Sequence, residues 1–217
     1  MNNINTMNFI PIPNMEALEN YYKESYNTKG KIIEGICTRF LQYHNLNIRP
    51  ITTRMLQKTQ GDTVANMVIP NIANKQLTAE FKAGGSIKGY NDLCIDIAYY
   101  TKEGKPYSNN GTNIGWLFTT VSDFVVVVVP KAKKLYLVNW YGNGIHSKLI
   151  RAYSLYMDRI NSLPNWVTID IITSDKNKNT EVFRINLNEL LTEFPECISE
   201  YSIVCSKEYE NMLNKLL

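Results

Sequence analysis

The chain has 217 residues, of which 44% are hydrophobic and 20% charged, and its composition fits one globular α/β domain, or one such domain with embellishments. Its longest purely aliphatic run, Val125–Val129, is far shorter than the roughly 20 residues of a membrane-spanning helix, so we expect no membrane partner. The formal net charge of +3 is only a weak signal for nucleic acid. The four cysteines show no CxxC spacing and the N-terminus shows no signal-peptide pattern. Together these features indicate a reducing, cytoplasmic setting.

Residues 1–13 are predicted to form an extended N-terminal arm. Pro11 and Pro13 have no backbone N–H group to give to a regular ladder, so we expect the arm to stay outside regular pairing. An arm of this kind becomes ordered only when something holds it. It is therefore a candidate contact for a homo-oligomer or for partners in a viral assembly, and residues 14–217 are predicted to form a single domain.

Two helices are predicted before the first long strand. Asn14 is a candidate cap for the first, in the sequence MEALENYY. Gly30 should separate it from a second helix, Lys31–Tyr43, in which apolar residues recur at helical spacing.

Apolar runs separated by polar or Gly/Asn-rich segments predict the strands that follow. The first five predicted strands are Asp62–Pro70, Lys75–Ala83, Leu93–Tyr100, Phe124–Val129 and Leu135–Trp140. The fourth is a continuous run of β-branched residues, which is typical of a central strand buried on both faces. We expect the fifth to pair back on the fourth across a turn.

The rest of the chain adds helices and strands to this sheet. The predicted elements are a helix over Ile145–Ile160, strands over Val167–Thr173 and Glu181–Asn186, and helices over Leu187–Phe194 and Lys207–Leu217. This order predicts an α/β fold with a mixed central β-sheet flanked by helices and with C-terminal strand and helix additions.

An acid–x–base tripeptide in the second predicted strand contains candidate catalytic residues. Residues two apart on a strand share a face, so Glu80 and Lys82 should project together and Phe81 should point the other way. With Asp62 from the preceding strand, two carboxylates and an ammonium at a strand end can hold a divalent metal and activate a water for phosphodiester cleavage. The alternative is structural: Asp62 caps a turn, and Glu80 with Lys82 forms an exposed ion pair of little energetic value.

The pattern Asp62…Glu80-x-Lys82 on two successive strands after a helix resembles the PD-(D/E)xK nuclease superfamily. The similarity continues through CIDIAYY, the segment GW…TT…SDF, the valine strand and the return strand LYLVNW, as in small phage-type members. It spans roughly Lys31 to Trp140 and implies a restriction-endonuclease-like fold.

By this resemblance, Asp62, Glu80 and the backbone carbonyl of Phe81 would hold Mg²⁺ or Mn²⁺, which suits their oxygen ligands. Lys82 would act on the attacking water or on the scissile phosphate. Asp96 is a candidate fourth acid where such nucleases often carry Glu, and a structural hydrogen-bonding role is its alternative.

Basic side chains in the middle of the chain are candidate phosphate contacts that would position DNA without reading sequence. They are Lys133 and Lys134 in a turn and Lys148, Arg151 and Arg159 on one arc of a helix. The alternative is ordinary solvated surface.

The sequence therefore predicts a metal-dependent DNA endonuclease, phage-encoded and structure-selective or non-specific, that acts in the host cytoplasm. The alternative is a catalytically inactive nuclease-like fold that serves as a structural or DNA-handling component of a phage particle.

Overall fold

Two β-sheets form the framework of the computed structural model, which describes residues 9–44, 47–51, 63–67, 75–87, 90–107, 114–159, 162–174 and 178–214. The larger sheet contains strands β1 (Phe9–Ile12), β2 (Asn47–Pro50), β3 (Thr63–Met67), β4 (Lys75–Ala83), β7 (Phe124–Val129), β8 (Lys134–Asn139) and β11 (Ile198–Cys205). The smaller sheet contains β5 (Gly85–Ile87), β6 (Tyr90–Thr101), β9 (Val167–Ser174) and β10 (Lys178–Asn186).

Helices cover both sheets. They are α1 (Met15–Glu19), α2 (Tyr26–Tyr43), α3 (Trp116–Thr119), α4 (Ile145–Met157), α5 (Leu187–Glu193) and α6 (Ser206–Asn214), with short 3-10 turns at Tyr21–Lys23 and Pro130–Ala132. Within the described part of the chain, no helix is long and apolar enough to cross a membrane.

The larger sheet is mixed, with the order β1-β11-β8-β7-β4-β3-β2. Strands β4 and β7 pair in parallel, whereas β3 and β8 run antiparallel to their neighbours β4 and β7. The predicted α/β class with a mixed sheet flanked by helices is therefore confirmed. The two predicted C-terminal strands are β9 and β10, which belong to the smaller sheet, and β11 is a further strand that the sequence did not predict.

Strand β7 is buried on both faces, as its β-branched sequence predicts. Val126 and Val128 belong to a cluster with Phe40 and the other apolar residues of α2. Val125 and Val127 face the opposite cluster, which contains residues of the smaller sheet. All five valines of this strand are fully buried, so β7 is the middle layer between a helical face and a second sheet.

The prediction that prolines keep the N-terminal arm out of regular pairing is wrong for Phe9–Ile12. This stretch is β1, and it pairs in parallel with β11, with Ile10 and Ile12 buried. Strand β1 lies at the edge of the larger sheet, where Pro11 can lack a donor because one side of an edge strand needs no ladder bond. Burial of the two isoleucines stabilises the strand.

The predicted break at Gly30 is also wrong. Helix α2 begins at Tyr26, and the hydroxyl of Ser25 accepts a hydrogen bond from the backbone N–H of Thr28. A glycine inside a helix costs only about 1 kcal/mol relative to alanine. Packing of the apolar face of α2 against the larger sheet outweighs that cost.

Gly84 and Gly85 mark the point where the chain passes from the larger sheet into the smaller one. A Cβ on Gly84 would lie 2.7 Å from the carbonyl oxygen of Asp92, and a Cβ on Gly85 would lie 2.4 Å from Asp92 Oδ1. The two glycines therefore let β6 approach this junction, and the extended chain continues directly from β4 into β5.

Candidate functional site

Strand β4 brings Glu80 and Lys82 together on one face of the larger sheet. Lys82 Nζ forms an ion pair with Glu80 Oε1, and Phe81 packs on the other side, against the α2 cluster. The alternation predicted from the sequence is confirmed. Glu80 is only 6% exposed, so the pair is not the exposed ion pair of the structural alternative.

The tryptophan of α3 covers this pair. Lys82 Nζ lies 4.8 Å from the centre of the Trp116 ring, which in turn packs against Trp140 at 4.8 Å. Gly115 positions the helix, because its N–H donates to the carbonyl of Ile97 at 2.7 Å. A Cβ on Gly115 would lie 2.3 Å from the backbone oxygen of Asp96, so only glycine fits. The contact of Trp116 with Lys82 joins two distant segments and could not be predicted from the sequence.

Asp123 forms hydrogen bonds to β4, the strand that carries Glu80 and Lys82. Its Oδ2 accepts hydrogen bonds from the backbone N–H of Thr78 at 2.8 Å and from the Thr78 hydroxyl at 3.1 Å. The Asp123 N–H donates back to that hydroxyl at 3.1 Å. Two residues before Glu80, β4 is thus joined to the segment that leads into β7. Thr78 and Asp123 are 45 residues apart in the chain, so this pairing could not be seen in the sequence.

Asp62 lies outside the described residues. Its chain neighbour Thr63 begins β3 and pairs with Ala79, the residue before Glu80. The structure therefore describes Glu80, Phe81 and Lys82 of the predicted catalytic and metal-binding set, together with the strand that follows Asp62.

Asp96 lies on β6 of the smaller sheet, where its Oδ2 accepts a hydrogen bond of 2.8 Å from the Tyr99 hydroxyl. Burial, and then the charge of Asp96, raise the pKa of Tyr99. Strand alternation places Asp96 on the face opposite Ile95 and Ile97, which are the residues that pack toward the larger sheet. Among the described residues, no group of three or more His, Cys, Asp or Glu side chains is arranged to hold a metal.

Three of the five basic residues predicted to contact DNA have partners within the chain. Lys133 pairs with Glu19 at 2.7 Å, and Lys134 pairs with Glu200 at 2.5 Å. Lys148 lies 4.3 Å from the centre of the Phe194 ring.

The other two are exposed: Arg151 lies in the middle of α4, whereas Arg159 follows the end of the helix with a left-handed backbone of φ 56°, so its predicted place on the same helical arc is wrong. Exposed ion pairs such as Lys133–Glu19 are weak, so a lysine in such a pair can contact a phosphate at a small cost in free energy.

No family model, curated protein or solved structure matches this chain.

Proposed function

We propose that the chain is a metal-dependent DNA endonuclease of the PD-(D/E)xK type, of a small phage-encoded kind. The observation that carries this proposal is the burial of Glu80 beside Lys82 on a central strand of a mixed sheet. Burying a carboxylate is costly, and an ion pair often fails to repay the desolvation of both charges. A buried acid and base on one strand face are therefore better explained by a chemical role than by stability alone.

The register of β3 supports Asp62 as the second metal-binding carboxylate. Thr63 pairs with Ala79, so the residue after Asp62 lies opposite the residue before Glu80. The proposed ligands of Mg²⁺ or Mn²⁺ are the carboxylates of Asp62 and Glu80 and the backbone carbonyl of Phe81. These donors are all oxygens, and hard cations of this kind are commonly held by one or two protein carboxylates. When bound, the metal would lower the pKa of a water and neutralise charge on the phosphate.

Lys82 has the second role in the proposal. Its ammonium, fixed by Glu80 and by the ring of Trp116, would stabilise the charge that develops on the scissile phosphate. The hydrogen bonds of Asp123 to Thr78 would hold β4 in place while this happens.

The test is cleavage of supercoiled plasmid and of branched DNA by the purified chain with Mg²⁺ or Mn²⁺, and with EDTA in place of the metal. Asp62→Asn, Glu80→Gln and Lys82→Ala should each reduce the cleavage rate by about 100-fold or more. Lys105→Ala, at an exposed lysine in the turn after β6, is the matched control and should cut like the unchanged protein. Equal cutting by the unchanged protein and by Lys82→Ala would reveal a contaminating nuclease and overturn the proposal.

A second candidate function is a nuclease-like fold without activity, acting as a structural or DNA-handling part of a phage particle. It is favoured by one observation: the carboxylates of Glu80 and Asp96 already have partners in the ammonium of Lys82 and the hydroxyl of Tyr99. This candidate predicts no cleavage in any metal, together with a stable oligomer in light scattering. Deleting residues 1–8, which leaves β1 intact, should then weaken assembly without unfolding the chain.

A further inference from the structure

A cavity of about 690 Å³ opens beside the C-terminal end of β4. It is formed where the 3-10 turn at Tyr21–Lys23, the first turns of α2, the end of β2 and the end of β4 meet. The lining residues used below are Tyr21, Tyr22, Tyr26, Lys29, Glu34 and Lys82. A volume of this size lies in the range of small-molecule sites and would hold a nucleotide.

Two tyrosines of the lining present their rings to solvent. Tyr26 is 89% exposed and Tyr22 is 54% exposed, whereas Tyr21 is buried and packs edge-on against Tyr22 at 5.2 Å. Burial raises the pKa of Tyr22, and the buried ring of Tyr21 anchors the Tyr22 ring from one side. An anchored, exposed ring loses little freedom when a flat ligand stacks on it.

The same region is basic. From Tyr21 to Ile33 the chain carries three lysines, at positions 23, 29 and 31, and a single acid, Glu24. Lys29 Nζ lies 5.8 Å from the centre of the Tyr21 ring. Lys29 is the lysine of the cavity lining whose ammonium lies on this face and Glu34 is its carboxylate, whereas the ammonium of Lys82 is turned to Glu80 and Trp116 on the other face of β4.

Exposed rings and a lysine in one cavity match the chemistry of an unpaired nucleotide. Every base has a flat face that stacks on an aromatic ring, and the phosphate beside it attracts a lysine. A base within a duplex shows only its edge, because its faces are stacked on its neighbours. The cavity therefore favours single-stranded over double-stranded nucleic acid.

Resting on the proposed function, we infer that this cavity binds unpaired nucleotides of single-stranded DNA. Tyr22 and Tyr26 stack on the bases, and Lys29 contacts the backbone phosphate. Lys82 borders the cavity at the C-terminal end of β4, with its ammonium turned to Glu80 on the opposite face, so a strand held here lies at the end of the strand that carries the proposed catalytic residues. The preferred substrate is then DNA that carries a single-stranded segment.

The test measures the affinity for a fluorescent oligothymidylate of about 12 nucleotides by fluorescence anisotropy. EDTA is present so that no metal-dependent cleavage occurs. Tyr22→Ala and Tyr26→Ala should each weaken binding about tenfold. Tyr26→Phe keeps the ring and should bind normally. Lys29→Gln should reduce the slope of log affinity against log salt by about 0.7. Tyr156→Ala, at a similarly exposed tyrosine on α4, is the control and should leave affinity unchanged.

Three further probes decide the ligand class. A duplex should bind more weakly and should not respond to loss of Tyr22 and Tyr26. Tighter binding of a matched uridine oligonucleotide would overturn the assignment to DNA. Unchanged affinity in the Tyr22→Ala/Tyr26→Ala variant would overturn the site itself.

The two proposals can fail separately. Glu80→Gln should bind the oligonucleotide normally while it no longer cuts. If the unchanged protein cuts DNA and the double tyrosine variant binds like it, the binding site is wrong and the nuclease stands. If the tyrosine variants lose binding but no metal supports cutting, the nuclease is wrong and the binding site stands.

Discussion

Lys82 contacts Trp116 through the face of the indole ring, with its ammonium 4.8 Å from the ring centre. The same ammonium pairs with Glu80, so one cation is held by a carboxylate and a ring from two different elements. The ring limits the positions that the ammonium can occupy and leaves its positive charge unchanged. A contact of this kind should be measurable as a coupling between two substitutions, whatever the chain catalyses.

A double-mutant cycle with Lys82→Met and Trp116→Leu should show a coupling of about 0.5–1 kcal/mol in the free energy of unfolding, which is the size of a partly exposed cation–π contact. Urea denaturation of the four proteins measures it. The control cycle replaces Trp116→Leu by Phe118→Leu, at an exposed ring on the same helix, and its coupling should be close to zero. Strict additivity of the Lys82 and Trp116 substitutions would contradict the contact.

Arg184 joins two acids that differ sharply in burial. It donates to Asp92 at 2.6 Å and to Asp170 at 2.9 Å, and the side chain of Asp92 is 1% exposed whereas that of Asp170 is 51% exposed. Arg184→Met should therefore cost about 3–5 kcal/mol, because it leaves the carboxylate of Asp92 buried without its cation. Asp170→Asn should change the free energy of unfolding by less than about 1 kcal/mol.

Chemical denaturation of these variants separates the two contacts. The double variant Arg184→Met/Asp92→Asn should recover part of the loss, since no uncompensated charge then remains buried. If Asp170→Asn proves as costly as Arg184→Met, the burial difference does not control the energetics of this network.

Glu200 predicts a pH dependence of stability. Burial alone raises the pKa of Glu200, but hydrogen bonds from Lys134 and Tyr136 outweigh it and bring the pKa below its ordinary value of 4.5. The folded state then binds fewer protons than the unfolded state. The stabilisation is present above about pH 4.5 and is lost as the pH falls through the lower pKa of the folded protein.

The measurement compares unfolding of the unchanged protein and of Glu200→Gln between pH 7 and pH 3. The difference in stability should be largest near neutral pH and should shrink below about pH 4.5. Tyr136→Phe removes one of the two hydrogen-bond donors and should give a smaller pH-dependent loss. A difference that stays constant down to pH 3 would show that the carboxylate charge of Glu200 is not what stabilises the fold.

Local sequence patterns were sufficient for the centre of the larger sheet. The bounds of β4 and β7 were predicted as the structure has them, because a β-branched run and a strict two-residue alternation are properties of the strand itself. The shared face of Glu80 and Lys82 follows from the same alternation. Helix boundaries were less accurate, since packing of α2 carries the helix through Gly30.

Features that depend on distant partners could not be predicted in the same way. Strands β1 and β11 stabilise each other, and neither has a clean alternating pattern alone. The hydrogen bonds of Asp123 to Thr78 and the cover of Lys82 by Trp116 join segments that are far apart in the chain. The catalytic and metal-binding roles of Asp62, Glu80 and Lys82 stay predictions until cleavage is measured.

The pairing of Phe9 with Ser202 has a consequence for synthesis of the chain. The ribosome makes strand β1 well before its partner β11, because most of the other elements lie between them in the sequence. At about 5–20 residues per second, the buried face of β1 waits roughly 10–40 s before β11 has been made. During that interval Ile10 and Ile12 have no β11 to pack with, so a chaperone that binds the nascent chain should bind at this strand.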